Sequence, residues 1–107
     1  MNTMLKFMVV LHKRPDLTDA QFRDYLHSVH GPMAKHLPGL RKYAQNYPAA
    51  DLNRKPPAWN AIVELYWDSW EAMEAAWRSP EGELSTADLN EFADLNLSTW
   101  AVVEEIA

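Results

Sequence analysis

The stretch "WNAIVELYWD", Trp59 to Asp68, decides the fold, because its side chains alternate as those of a β-strand do. One face of this strand carries Trp59, Ala61, Val63, Leu65 and Trp67, and the other carries Asn60, Ile62, Glu64 and Tyr66. Both faces hold large apolar side chains, which are not left in water over a wide area. We therefore expect a strand that is covered on both sides.

Three further segments have the composition of strands. Residues 5–12 are rich in Val, Phe, Met and Leu and end at the turn "KRPD". Residues 40–47 alternate in the same way, and "LSTWAVVEEIA", residues 97–107, closes the chain as a fourth strand. The loop "PAADLNRKPPA", residues 48–58, has three prolines and no periodicity, so we expect it to be exposed.

The first helix begins at a capping box, in which Thr18 and Gln21 each satisfy a free backbone amide. Gly31-Pro32 is predicted to interrupt this helix, because proline disfavours a helical residue before it and donates no amide hydrogen. Pro32 then suits the first position of a short helical piece that Pro38-Gly39 ends. The expected buried stripe of this region is Phe22, Leu26, Val29 and Met33.

A second helical region follows Trp67. Asp68 with Glu71 resembles a helix cap, and "SWEAMEAAWR" is made of strong helix formers. Ser79-Pro80 is expected to start another helix, so this region is divided in two. Its predicted buried residues are Leu89, Phe92 and Ala93.

The order of elements is thus β-α-β-β-α-β, which predicts a single α+β domain over residues 1–107. Four strands in this order form a ferredoxin-like antiparallel sheet with its helices on one face. Two helical regions cover only one face of such a sheet, and the other would carry Met8, Ile62, Tyr66 and Val103. We expect this bare face to pack against that of a second copy, in a homodimer.

Charge and composition exclude several classes of function. The net charge of −5 disfavours binding to nucleic acid, which needs a clustered cationic surface. The absence of cysteine excludes disulfides, thiolate zinc sites, iron–sulfur clusters and cysteine nucleophiles. The apolar run near the N-terminus is too short for a signal sequence or a membrane span. We expect a cytoplasmic protein that binds neither nucleic acid nor membrane.

The segment "YLHSVHGPMAKHLPGLRKYAQN", Tyr25 to Asn46, contains three of the four histidines. Zinc needs three or four donors, and the spacing of His27 and His30 lacks the H-E-x-x-H pattern, so a metal site is not favoured. On a helical wheel His30 lies at the border of the apolar stripe, His27 points further toward solvent, and His36 caps the short helix. His30 is then either a proton carrier beside an apolar cavity or a histidine bonded to a backbone carbonyl.

Two other polar residues lie within predicted strands. Asn46 could orient a substrate carbonyl or stabilise an oxyanion, or it could simply pair with backbone. Glu64, in an otherwise apolar strand, needs a partner that His12 or Lys13 could supply, and a structural ion pair explains it well. No serine-histidine-aspartate order and no phosphate-binding loop is present in the sequence.

Four short motifs resemble the EthD-like family of dimeric α/β-barrel proteins. They are Lys13-Arg14-Pro15, Val29-His30-Gly31-Pro32-Met33, Pro38-Gly39-Leu40 and Tyr43-Ala44-Gln45-Asn46. Met33 stands where leucine is commoner in that family, and beyond Tyr47 the resemblance is one of architecture only. It implies a ferredoxin-like fold that dimerises through its sheets, with a pocket between helices and sheet in each subunit.

The resemblance also implies an activity without metal or organic cofactor, although the family includes several reaction types. Our main hypothesis is an enzyme that isomerises or dehydrates a small apolar cyclic or ketone-like metabolite, or performs another lyase step, with His30 as proton carrier and Asn46 as a second catalytic group. Tyr43, His12, Glu64 and Trp100 are the candidate substrate-binding residues. The alternatives are a cofactor-free monooxygenase of phenols, which would use pocket asparagine and tryptophan, and a non-catalytic protein that binds a small ligand.

Overall fold

The computed structural model describes residues 4–107, so the first three residues of the expected domain lie outside it. Its four strands form one antiparallel sheet in the order β2-β3-β1-β4. Their bounds are β1 Leu5–Leu11, β2 Lys42–Asn46, β3 Ala61–Trp67 and β4 Thr99–Val103. This order of strands and helices confirms the predicted ferredoxin-like architecture.

The two central strands carry the core on the side that faces the helices. Val9 in β1 lies opposite Val63 in β3 and Trp100 in β4. Because side chains alternate along a strand, Leu11, Val63 and Leu65 point to this same side, and all three are buried. Trp67, with no exposed surface, donates its indole N–H to the Pro38 carbonyl at 3.0 Å and so ties β3 to the turn before β2.

The first helical region runs without a break, which corrects the predicted interruption at Gly31-Pro32. Helix α1, Asp19–Tyr25, begins at the expected capping box. A π-helical turn, Leu26–His30, follows and leads directly into α2, Gly31–Ala34. The backbone at Gly31 stays right-handed helical (φ −58°, ψ −51°), and its N–H donates to the Leu26 carbonyl five residues back. The hydrogen-bonding pattern changes here, while the backbone remains helical.

This π-turn rotates the buried stripe, because its hydrogen bond spans five residues and not the four of an α-helix. Val29, expected in the core, is 44% exposed, whereas His30 is only 7% exposed. Phe22, before the turn, and Leu26, its first residue, are buried as predicted. Because of this turn, His30 and not Val29 lies on the inner side of the helix.

The second helical region is divided as predicted, into α3, Trp70–Arg78, and α4, Pro80–Asp88. Its cap is Ser69 and not Asp68, because the backbone is extended at Ser69, whose Oγ accepts the Ala72 N–H at 3.1 Å. Ser79 separates the helices and caps α4 by accepting the Gly82 N–H. A 3₁₀ turn, Leu89–Glu91, then leads to Phe92, which is fully buried.

The helices leave one side of the sheet uncovered. This open sheet face consists of the alternate residues of the four strands: Lys6, Met8, Val10, Lys42, Ala44, Asn46, Ile62, Glu64, Tyr66, Thr99, Ala101 and Val103. In the part of the chain that the structure describes, no helix has the length and apolarity to cross a membrane.

Candidate functional site

A cavity of about 550 Å³ lies between the sheet and the helices. Phe7, Val9 and Val102 form part of its sheet side, and Met73, Trp77 and Leu89 belong to the helical side and the turn that follows. The volume falls within the range of about 300–1,000 Å³ that is usual for small-molecule sites. Residues from all four strands and from both helical regions meet at this space, so it is the candidate site.

His30 reaches the cavity because the π-turn directs it inward. Its ring packs against Phe92 with centroids 4.9 Å apart, and its side chain is 9% exposed. Its Nδ1 lies 2.9 Å from Oδ2 of Asp88, at the end of α4. The other oxygen of Asp88 accepts the Tyr25 hydroxyl at 2.7 Å. One half-buried carboxylate thus holds two side chains that lie five residues apart on the first helix.

The hydrogen-bond partner of Nδ1 determines which ring nitrogen of His30 carries the proton. A carboxylate only accepts hydrogen bonds, so the proton of the neutral ring is assigned to Nδ1, and Nε2 carries a free lone pair. Within residues 4–107, every fully buried side-chain nitrogen or oxygen has a hydrogen-bond partner, and none is found for Nε2. Nε2 therefore keeps some accessible surface, and His30 is one of the residues that line the cavity.

The electrostatics favour an unprotonated imidazole at neutral pH. Burial lowers the pKa of His30 below its usual 6.5, and the hydrogen bond and charge of Asp88 oppose this in part. The hydrogen bond to Asp88 raises the pKa of Tyr25 to about 12, so Tyr25 remains a donor. A neutral histidine with a carboxylate behind it and a lone pair toward an apolar cavity can act as a general base.

Tyr43 supplies a second polar group on the cavity wall. Its hydroxyl accepts a hydrogen bond from Nε2 of Gln45 at 3.0 Å, and the same nitrogen donates to the Leu26 carbonyl at 3.0 Å. Burial raises the pKa of Tyr43 to about 12, so the phenol keeps its proton. Since the Tyr43 oxygen accepts from Gln45, its own proton is available to a substrate oxygen. The carboxamide of Gln45 thus links the π-turn to the tyrosine.

Trp100 and Trp70 also line the cavity, and they are 52% and 57% exposed, respectively. With Trp77, three of the five tryptophans of the chain border this one space. His12 does not line the cavity; it follows the last residue of β1, and its backbone N–H donates to Ser98 Oγ. The structure therefore groups Tyr43 and Trp100 with His30 and leaves His12 apart.

Asn46 and Glu64 also lie away from the cavity, on the open sheet face. Asn46 donates to the Ile62 carbonyl at 3.0 Å and to Glu64 at 2.9 Å. The partner of Glu64 is Lys6, at 2.7 Å, and not His12 or Lys13, because Glu64 lies opposite Met8 in the middle of β1. The hydrogen bond from Lys6 holds the pKa of Glu64 below its usual value. Asn46 and His30 are thus on opposite sides of the sheet.

Sequence reasoning missed Asp88, Tyr25 and Gln45. The contact between His30 and Asp88 joins residues 58 positions apart, and nothing in the local pattern of α4 marks its last residue as a partner. The five-residue spacing of Tyr25 and His30 is the one available signal, since it fits a π-turn. In the described part of the chain, no group of three or more histidine, aspartate or glutamate side chains could hold a metal ion.

Comparison with known proteins gives one family match. The model of the EthD domain family matches residues 14–96. An uncharacterised 11.0 kDa protein from the thcB-thcC intergenic region of Rhodococcus erythropolis is 31% identical over 86 residues, which cover 80% of this chain and 82% of that protein.

Solved structures share the whole fold. An EthD family protein from Bacillus halodurans superimposes with a TM-score of 0.80 at 27% identity, over 97% of this chain and 100% of the other. A dimeric ferredoxin-like protein of unknown function from Thermobifida fusca gives a TM-score of 0.69 at 14% identity, over 98% and 94%. SnoaB, a cofactor-independent oxygenase from Streptomyces nogalater, gives 0.66 at 12% identity, over 95% and 92%.

Proposed function

Since the chain belongs to the EthD family, we propose that it is a cofactor-independent enzyme in which His30 transfers a proton to and from a small, largely apolar substrate. The observation that carries this proposal is the hydrogen bond of 2.9 Å between His30 and Asp88 at the wall of the cavity. It orients the imidazole, and it stabilises the imidazolium that forms when Nε2 takes a proton.

The proposed reaction has two proton transfers. Nε2 of His30 first removes a proton from a carbon or oxygen of the substrate, and the hydroxyl of Tyr43 donates a hydrogen bond to the substrate oxygen on which negative charge develops. The imidazolium then returns the proton. Its return to another atom of the substrate gives an isomer, and its transfer to a departing hydroxyl group releases water and gives a dehydrated product.

A model substrate tests the base directly. In 5-nitrobenzisoxazole a base removes the ring C–H proton, the N–O bond breaks, and a coloured phenolate bearing a nitrile forms without a cofactor. The compound is planar and uncharged, so it suits an apolar cavity. We expect the wild-type protein to accelerate this reaction and His30→Ala to lose about 10²–10⁴-fold of that rate, the usual contribution of a positioned base.

His36→Ala is the matched control, because His36 is exposed and does not line the cavity. This variant should react like the wild type, and both variants should keep the circular dichroism of the native fold. Wild-type activity in His30→Ala would refute the role of His30. Binding of the compound with no acceleration by the wild-type protein would instead support a ligand-binding protein without catalysis.

One observation favours a second candidate, an oxygenase of phenols. Trp70, Trp77 and Trp100 border the cavity, and SnoaB, named as a cofactor-independent oxygenase, shares the fold. In this case His30 would deprotonate a phenol, and dioxygen would oxidise the electron-rich phenolate. Asn46 does not face this cavity, and among residues 4–107 no other asparagine lines it. Oxygen uptake in the presence of hydroquinones would distinguish the oxygenase from the proton-transfer enzyme.

The open sheet face supports a homodimer. Met8, Ile62, Tyr66 and Val103 lie together on this face, which the helices do not cover, and similar structures are described as dimeric ferredoxin-like proteins. We expect sedimentation analysis to give twice the mass of the chain. Ile62→Lys should shift the protein toward monomer, and Leu52→Lys, at a fully exposed position, should leave the mass unchanged.

A further inference from the structure

The side chains that line the cavity carry little charge. Within residues 4–107, no lysine or arginine lines it, and Glu74 is the one carboxylate that does. Glu74 is exposed on α3, so water screens its charge. His30 is held neutral by burial, which lowers its pKa. The interior therefore offers no positive charge that could pair with an anion.

An anionic substrate would bind weakly in such a cavity. A carboxylate or phosphate that enters an apolar cavity loses its hydration, and the cost is large unless a cation or several hydrogen bonds replace the water. The neutral donors on the wall are the hydroxyls of Tyr43, Ser85 and Thr86 and the indole N–H groups of Trp70, Trp77 and Trp100, and Ser85 already donates to the Gly82 carbonyl. These donors are uncharged, so a full negative charge on the ligand would lack a cationic partner.

The aromatic side chains of the wall favour a ligand with planar rings. Phe7 and Trp77 pack with centroids 5.3 Å apart, and Trp77 meets Trp67 edge-on at the same distance. Trp70 and Trp100, both more than half exposed, border the same cavity. Aromatic side chains bind other rings by offset stacking and edge-to-face contact, and these pairs add about 0.5–1.5 kcal/mol to the burial of area.

From these observations we infer that the substrate is an uncharged, planar aromatic compound with one oxygen substituent, and that the cavity excludes aromatic acids. This inference rests on the proposed function for the location of the site, and it adds the charge and the ring character of the compound. The hydroxyl of Tyr43 would bind the substituent oxygen, and the rings would lie against the tryptophans.

Three commercial compounds of one ring system test the inference by binding alone. They are 2-naphthol, methyl 2-naphthoate and 2-naphthoate, of which only the last is charged at pH 8. We expect calorimetry to show binding of the two neutral compounds and at least about tenfold weaker binding of 2-naphthoate, which corresponds to about 1.4 kcal/mol. In nitrogen–proton NMR spectra, the indole signals of Trp70, Trp77 and Trp100 should shift, and that of Trp59, outside the cavity wall, should not.

A charge reversal at the cavity gives a sharper test. Glu74→Lys places a cation at the lining, so it should strengthen binding of 2-naphthoate by up to about fivefold, the usual strength of an exposed ion pair. Glu71→Lys changes the net charge equally from an exposed position of the same helix that does not line the cavity, so it should leave the affinity unchanged.

Every outcome decides the inference. Equal or tighter binding of 2-naphthoate, no binding of any of the three compounds, or an equal response of Glu74→Lys and Glu71→Lys would overturn it. None of these results depends on proton transfer, so the test with 5-nitrobenzisoxazole judges the role of His30 separately.

Discussion

Gly31 makes the contact between the π-turn and β2 possible, and its replacement by alanine tests the geometry of the site. A Cβ atom at this position would lie 2.6 Å from Nε2 of Gln45 and 3.0 Å from the Leu26 carbonyl oxygen. The first distance is shorter than real Cβ contacts allow, so the carboxamide of Gln45 must move. That movement breaks its hydrogen bonds to Leu26 and to the hydroxyl of Tyr43.

Two opposing effects determine the magnitude. Loss of two hydrogen bonds costs about 1–3 kcal/mol at about 0.5–1.5 kcal/mol each. Alanine is better than glycine within a helix by about 0.8–1.0 kcal/mol. We therefore expect Gly31→Ala to lower the free energy of unfolding by roughly 0–2 kcal/mol. A helical glycine without this contact would instead gain stability on the same change.

The assay is urea unfolding at one protein concentration, applied to Gly31→Ala, Gln45→Ala and the double variant. Because Gln45→Ala removes the atom that clashes, the two changes should couple by about 1 kcal/mol, within the range of 0.5–3 kcal/mol typical of contacting residues. Relief is incomplete, since the Leu26 oxygen remains close. Stabilisation by Gly31→Ala alone, or additivity within about 0.5 kcal/mol, would refute the reasoning.

Three further predictions concern charge and capping. Asp88→Asn should lower the pKa of His30 further, because the hydrogen bond and charge of Asp88 raise it; NMR titration of the ring measures this, and an unchanged pKa would contradict the pair. The folded pKa of Glu64 lies below its usual 4.5, so its stabilisation is present above pH 4.5 and is lost as pH falls through the folded value. As the pH falls below 4.5, the melting temperature of Glu64→Gln should therefore change less than that of the wild type. Ser69→Ala should cost about 1 kcal/mol in urea unfolding and Asp68→Ala less than about 0.5, and the reverse order would restore Asp68 as the cap.

Local signals in the sequence predicted the order of elements well. The capping box at Thr18 and the division at Ser79-Pro80 depend on hydrogen bonds between neighbours, so they can be recognised without tertiary structure. The predicted cap, Asp68, lies one residue before the observed cap, Ser69, because both are good capping residues. Only the backbone angles decide between two such neighbours.

The site was less predictable, because its contacts are long-range. The Leu26 carbonyl of the π-turn accepts a hydrogen bond from Gln45, which lies in a strand 19 residues away. Asp88 comes from the other helical region. The alternation of β2, by contrast, places Tyr43 and Asn46 on opposite faces of the sheet from the sequence alone, so the two cannot both enter one pocket. The position of His30 beside an apolar cavity was predicted, because its border place on the helical wheel needed only the rotation that the π-turn supplies.

The widened turn at Leu26–His30 has a consequence for comparing this chain with its relatives. Deleting one residue there would restore a regular α-helix, because the π-turn differs from one by a single additional residue. A relative without the additional residue would therefore carry the equivalent inward group at a shifted count from its capping box. Alignments that tolerate no gap inside helices would pair the wrong positions, so the histidine should be matched through its carboxylate partner and the Gly-Pro that follows it.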